Sequence, residues 1–232
     1  MDVQIYQGRN AINRPANITI VIDVLRAFTV AHYAFLRGVQ RILLAETVEQ
    51  AFQIKEKNPS FLLAGEVDGI AIKGFDLDNS PYLIQQKKLS GKTLVQKTTN
   101  GVRATLNCLA SDHVYVTGFT NARNTAEFIR ENLINGDKDV VHIIASHPSG
   151  DDDYACAEYM KHILEDADVR ISVHEVKERI KNSHVAKKFF DENNPDFRRE
   201  DVLHCLVELN TNFIMKVDNS GEIPMIERVQ VC

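Results

Sequence analysis

Short apolar runs rich in β-branched residues recur along this chain, and the stretches between them carry apolar residues at helical spacing; that alternation constrains the fold more than any other feature. The runs at 18–22, 41–45, 61–64, 93–96, 113–117, 140–145 and 169–173 have the length and continuity of buried strands. Between most of them, 29–37, 48–57, 82–88, 102–109, 121–133 and 154–164 have helical periodicity, several behind a Ser, Thr, Asn or Asp in capping position. The pattern predicts an α/β fold with a largely parallel sheet. Beyond Glu175 the rhythm changes to two predicted helices around the Asn194-Pro195 break and a short ending, a helical and strand addition over 176–232. No Gly-, Pro- or Ser-rich linker marks a boundary, so residues 1–232 read as one unit.

With 44% hydrophobic residues over 232 positions, the chain can bury a substantial core. A formal charge of -5 with scattered Lys and Arg argues against nucleic acid or a membrane surface as partner and leaves a small molecule. The start, MDVQIYQGRN, lacks a charged-then-apolar signal pattern, and no apolar run approaches bilayer-spanning length, so the cytoplasm is the expected location. Cys108, Cys156, Cys205 and Cys232 have no paired spacing, which suggests neither a zinc site nor a disulfide framework; they are expected to be reduced and mostly packed in the core. An α/β enzyme of this size often forms a symmetric homodimer.

Two stretches echo each other. RAFTVAHYAFLRGVQRILLAETVEQAFQI from Arg26 and RATLNCLASDHVYVTGFTNARNTAEFI from Arg103 both open with Arg-Ala after a strand and turn, run through helix, strand and helix, and reach a matching Phe at Phe52 and Phe128. An internal duplication, with halves around 18–90 and 91–175, accounts for the echo. So does the general likeness of any two βαβ stretches.

In open parallel sheets, ligands bind beyond the C-terminal strand ends, where helix N-termini offer free N–H groups. Those ends here read IDVLRA with Asp23 and Arg26, AGEVDG with Glu66, GFDLDNSP with Asn79 and Ser80, and TTNGVRA with Thr99, Asn100, Gly101 and Arg103. GFTNARN with Asn121 and SHPSGDDDYACA with His147, Asp151, Asp152 and Asp153 complete the set. Singly, each has a plain structural reading. Asp23 and Arg26 make a salt bridge, Asn79-Ser80-Pro81 and Thr99-Asn100-Gly101 cap helices, and the Asp run is a solvated turn. Together they suggest more. Arginines suit bidentate recognition of phosphate or sulfonate, whereas several carboxylates at the same edge repel such an anion unless a divalent cation lies between them. That pairing of signs implies Mg²⁺, which takes one or two carboxylates completed by water and substrate phosphate.

IDVLRAFT, GEVDG followed by GFDLDNSP, TTNGVRA and DDDYACA resemble, in order and approximate spacing, the motifs of the 2-phosphosulfolactate phosphatase family. The resemblance runs from Ile18 to about Ile223. It implies a three-layer α/β/α fold, Mg²⁺ dependence, and removal of phosphate from a sulfonated 2-phospho-hydroxy acid, a step of coenzyme M biosynthesis in methane-forming organisms. Asp23, Arg26, Glu66, Asn79, Ser80, Asn100, Gly101, Arg103, Asp153 and Cys156 stand at family motif positions. Two positions depart: Asp152 replaces a Glu, and Glu158 replaces a Gly whose absence alters the pocket if that Gly allows close approach.

The mechanism this implies is metal-assisted hydrolysis. Asp23, Glu66 and Asp153 hold the metal. Arg26 and Arg103 grip the phosphoryl and the sulfonate or carboxylate groups. Asn79, Ser80, Thr99, Asn100, Gly101 and nearby N–H groups bind the substrate's oxygens. The attacking group is either Asp23, through an aspartyl-phosphate, or a water for which Asp152 or His147 is the base. Asp23 is also similar to the nucleophile of haloacid-dehalogenase phosphatases, but these carry a second Asp two residues on, where this chain has Leu25; water attack is therefore preferred. His147 is either a proton donor to the leaving group or a turn residue ahead of Pro148. Cys156, behind three acids, is expected to pack and not to react. Two further readings stay open: a phosphatase for an unsulfonated phospho-hydroxy acid, and a sensor that binds such a metabolite without hydrolysing it.

Overall fold

Ile18–Ile22 is buried along its whole length, and its alternate side chains feed different cores: Ile18, Ile20 and Ile22 enter one apolar cluster and Val21 another. A strand covered on both faces implies a layer of helices on each side. The computed structural model describes residues 1–9, 15–136, 138–169 and 171–231, and it shows that arrangement. In chain order the elements are β1 (Asp2–Gln7), β2 (Ile18–Ile22), α1 (Ala27–Leu36), β3 (Arg41–Leu44), α2 (Val48–Lys57), β4 (Leu62–Val67), β5 (Ile70–Ala71), α3 (Pro81–Ile84) and β6 (Thr93–Lys97). There follow α4 (Gly101–Leu106), β7 (His113–Thr117), α5 (Ala122–Asn132), β8 (Val140–Ala145), α6 (Asp151–Leu164), α7 (Val173–Asn182), α8 (Arg199–Cys205), β9 (Phe213–Asp218) and β10 (Met225–Gln230).

The ten strands form one sheet in the order β1-β8-β2-β7-β9-β10-β3-β6-β4-β5. Within β1-β8-β2-β7 and within β3-β6-β4 neighbours are parallel. The antiparallel β9-β10 hairpin joins the two blocks. Three antiparallel steps separate β7 from β3, so the two blocks run in opposite directions. Exchanging β2, β3 and β4 with β6, β7 and β8, and β9 with β10, leaves the order β8-β2-β7-β9-β10-β3-β6-β4 reading the same from its other end. Duplication of one βαβαβ stretch with exchange of its first strand would give this arrangement. It places the tips of β2 and β6, the sites of the Arg-Ala echo, at equivalent positions.

Two expectations are corrected. Residues 169–173 are not a strand: Val169 is 84% exposed, Ser172 accepts a hydrogen bond from the Glu175 N–H, and α7 begins at Val173. A cap outweighs three alternating β-branched residues there; Arg170 lies outside the described residues. The Asp run is not a solvated turn, because α6 starts at Asp151 and Asp152 and Asp153 are buried in its first turn. The chain's ending is less an addition than a filler, since the β9-β10 hairpin occupies the centre of the sheet. Cys108, Cys156 and Cys205 are buried free thiols; Cys232 is outside the described residues. No helix among these residues is long and apolar enough to cross a membrane.

Candidate active site

Asp23 follows β2 directly and collects the N-termini of two helices. Its Oδ1 accepts from the first N–H of α1, at Ala27 (2.9 Å), and its Oδ2 from the first N–H of α4, at Gly101 (2.9 Å). Four strands separate β2 from β6 in the sheet, and the two run in opposite directions, so only a strongly twisted sheet and the turn at 98–100 let their C-terminal tips meet. Gly101 permits the contact: a Cβ there would stand 2.7 Å from Asp23 Oδ2. The α6 end is fastened to the same place. Asp153 accepts from Val24 N (2.7 Å), His147 N (3.0 Å) and Ser146 Oγ (3.1 Å). Glu66 ties the β4-β5 turn to the β6 turn, accepting from Thr99 N (2.6 Å), Thr99 Oγ1 (3.0 Å) and Gly69 N (2.5 Å).

These tips surround a cavity of about 200 Å³. Asp23, Arg26, Glu66, Asn79, Thr99, Asn100 and His147 line it, seven residues singled out by sequence. Asp152 and Asp153 lie behind Asp23. Gly101 is buried against Asp23, and Ser80 does not reach the cavity. Ser80 Oγ caps α3 through Leu83 N (3.1 Å) and donates to Asp201 Oδ1 (2.5 Å). Arg103 is exposed on α4 and is not part of the cavity wall, and its side chain makes no hydrogen bond or ion pair among the described residues. Arg26 and Asp23 are not each other's partners: Arg26 donates to Asp201 Oδ2 (2.7 Å) and to the Gly69 carbonyl (2.9 Å). Glu158 points away, its carboxylate paired with Arg179, which also holds Asp151 (2.5 Å). This departure from the family pattern does not enter the cavity wall.

Asp201, Lys188, Val185 and Phe189 were not legible as site residues; they come from the segment after α6, where no motif stands. Lys188 and Phe189 line the cavity, and Arg9 reaches its rim by donating to Thr99 O (3.0 Å) and Asn100 Oδ1 (3.3 Å).

The electrostatics divide the site. Burial pushes Asp23 and Asp153 up to about 8 and Asp152 up to about 7. Mutual repulsion adds to the rise, Asp153 acting on Asp23 and Asp152 on Asp153. Cys156 is pushed well above the usual thiol range by burial and by Asp153 and Asp152, the state of a packed thiol. His147 is lowered, by burial first and then by His184, Lys188 and Arg9. Its Nδ1 accepts from Ser149 N (3.2 Å), which leaves Nε2 for proton exchange.

Buried carboxylates that raise one another are relieved by a cation. Asp152 Oδ1 and Asn79 Oδ1 are both buried without a hydrogen-bond partner, hard oxygens of the type Mg²⁺ takes. Among the described residues no group of three or more His, Cys, Asp or Glu has metal-holding geometry. The donor set fits an ion held by one or two carboxylates and completed by water and phosphate.

Comparison with known proteins places the chain in a family. The family model described as 2-phosphosulpholactate phosphatase matches residues 5–219. A Bacillus subtilis (strain 168) protein named "Probable 2-phosphosulfolactate phosphatase" is 51% identical over 229 residues, 99% of each chain. One of the same name from Caldicellulosiruptor saccharolyticus is 28% identical over 220 residues, covering 85% of this chain and 91% of that one. With its motifs gathered around one acidic cavity and the match running through nearly all of its length, the chain belongs to the 2-phosphosulpholactate phosphatase family.

Proposed function

We propose that the protein hydrolyses 2-phosphosulfolactate to sulfolactate and inorganic phosphate with Mg²⁺ as cofactor. The observation that carries this reading is the opposition of charge in one cavity. Asp23, backed by the buried carboxylates of Asp152 and Asp153, lines the same cavity as Arg26 and Lys188, and all three acids have raised proton affinity. A phosphate monoester bearing further acid groups complements both signs once a divalent cation is present.

Asp23 and Asp152 would hold the ion, and Asn79, whose buried Oδ1 has no partner, would offer a further hard donor from the cavity wall; bound there, Mg²⁺ would neutralise phosphoryl oxygens and make a bound water more acidic. Glu66 and Asp153 accept backbone N–H groups, as Asp23 also does, and keep the strand tips in register. Arg26, fixed by Asp201, presents a planar cation to the substrate. Water attack is the reading the Asp23 geometry supports, because direct attack by Asp23 would displace an N–H bond from Ala27 or Gly101. His147, through Nε2, would serve the leaving alkoxide.

The test is phosphate release from 2-phosphosulfolactate, 2-phospholactate and phosphoglycolate, with Mg²⁺ and with chelator. Mg²⁺-dependent turnover fastest on the sulfonated ester is expected; preference for an unsulfonated ester would replace the substrate, and turnover undiminished by chelator would remove the metal. With a phosphoryl group made chiral by oxygen isotopes, a single displacement by water inverts the configuration at phosphorus, and an aspartyl-phosphate formed on Asp23 gives net retention.

A further inference from the structure

Lys188 and Arg26 share one wall of the cavity but differ in electrostatic state. The rings of Phe189 and Phe197 pack edge to face at 5.1 Å and carry both cations. Arg26 Cζ lies 5.0 and 5.6 Å from their centroids, and Lys188 Nζ lies 5.8 and 4.4 Å from them. The charge of Arg26 is matched by the buried carboxylate of Asp201. Lys188 has no carboxylate within 4.0 Å among the described residues. It is half-buried, and its proton affinity is lowered by burial first and by Arg26 next, which outweigh the more distant carboxylates of Glu66, Asp152 and Asp68. The turn opposite is kept clear for it: a Cβ on Gly69 would stand 3.0 Å from Nζ and 2.8 Å from the Phe197 ring, at a φ of +87° that itself favours glycine. A half-desolvated ammonium with carboxylates near it but none in direct contact is costly, and a ligand anion that meets it lowers that cost.

We propose that Lys188 binds the sulfonate of the substrate and makes the site prefer a sulfonated phosphoester to its unsulfonated counterpart. This rests on the reading of the substrate given above. The phosphoester belongs with the carboxylates, through the cation they hold, and the substrate carboxylate is attached to the same carbon. The sulfonate stands one carbon further on and extends to the wall that carries Lys188. Leu25, Val185 and Phe189 make that wall apolar. A sulfonate spreads its charge over three oxygens and is weakly hydrated, so it enters such surroundings at lower cost than a carboxylate. The ammonium, a compact charge with three donors, meets it there.

The experiment compares kcat/KM for 2-phosphosulfolactate and 2-phospholactate, with Mg²⁺, in wild type, Lys188→Met and Lys188→Arg. The preference for the sulfonated ester is expected to fall roughly 10- to 100-fold in Lys188→Met, mainly through KM, and to be partly restored in Lys188→Arg. An equal loss on both esters, or an unchanged preference, would overturn the proposal. Absence of turnover on either ester in the wild type defeats the substrate reading instead. The contact is then read by calorimetric binding of sulfolactate, where weakening of about tenfold or more in Lys188→Met supports it and equal binding overturns it.

Discussion

Arg26 and Asp201, 175 residues apart in sequence, form an ion pair of 2.7 Å with side chains only 4% and 0% exposed. Asp201 also accepts from Ser80 Oγ and Tyr82 N, so one carboxylate joins α8, the start of α3 and the cavity wall. Asp201→Ala leaves a guanidinium buried without its counter-ion and is expected to cost about 3–5 kcal/mol. Denaturant unfolding measures this. The double variant Arg26→Met, Asp201→Leu should recover much of the loss, and no recovery would mean that the packing of α8, and not the pair, is what Asp201 supports.

Asp23, Asp152 and Asp153 predict an unusual coupling between pH, cation and stability. Their folded proton affinities, about 8, 7 and 8, lie above the roughly 3.9 of an unfolded Asp. Between those limits the folded protein binds more protons than the unfolded one. Their contribution is therefore fully present below about pH 4 and is lost as the pH rises towards 8. A divalent cation favours the ionised forms, so its stabilisation grows in the same direction. The Tm increase produced by Mg²⁺ should be larger at about pH 8.5 than at about pH 5.5 and should shrink in Asp152→Asn. A gain independent of pH would argue that Mg²⁺ binds elsewhere.

The legible and illegible parts of this fold differ physically. Ile18–Ile22 was readable because a strand buried on both faces must be continuously apolar, and Asp23, Glu66 and Asn100 were readable because strand tips are where ligands bind. β1 was missed because an edge strand with the mixed burial of DVQIYQ carries little periodic signal. That the last hairpin fills the middle of the sheet has no local signature, since strand order is decided by which edges remain unpaired. Lys188 reaches the cavity, and Asp201 the Arg26 in its wall, through the tertiary path of the segment after α6. An acid and a lysine on short helical turns look the same in sequence whether they face solvent, a buried arginine or a cavity.

Glu158 replaces a family Gly, yet it spends its charge on Arg179 at the α6-α7 contact, with the carboxylate side chain 35% exposed. Glu158→Gly should cost about 1–2 kcal/mol, from a partly exposed ion pair and a glycine within a helix. Arg179 keeps Asp151, so α7 stays docked. The ratio of kcat/KM between sulfonated and unsulfonated esters should stay within about twofold of wild type, because the residue is outside the cavity wall. A changed ratio would show that the α6-α7 contact reaches the substrate.

Gly101 is the point where the two opposed blocks of the sheet touch. Its N–H bonds to Asp23, and an added Cβ would stand 2.7 Å from Asp23 Oδ2, 3.0 Å from Asp23 Cβ and 3.1 Å from Ala27 Cβ. Alanine is the better helix former by about 1 kcal/mol, so a loss of stability in Gly101→Ala can only come from this crowding, which typically costs about 1–3 kcal/mol. The two effects partly cancel, and the net change in unfolding free energy should be small. Activity has no such compensation. Moving Asp23 or the start of α4 by a few tenths of an ångström to an ångström displaces the carboxylate that faces the substrate, and a drop in kcat of up to about 100-fold is expected. Gly136→Ala, where an added Cβ meets nothing within 4 Å, is the control. Near-normal stability with strongly reduced turnover in Gly101→Ala, and normal values of both in Gly136→Ala, would establish that this close approach serves the site and not the fold; full activity in Gly101→Ala would show that Asp23 has room to move.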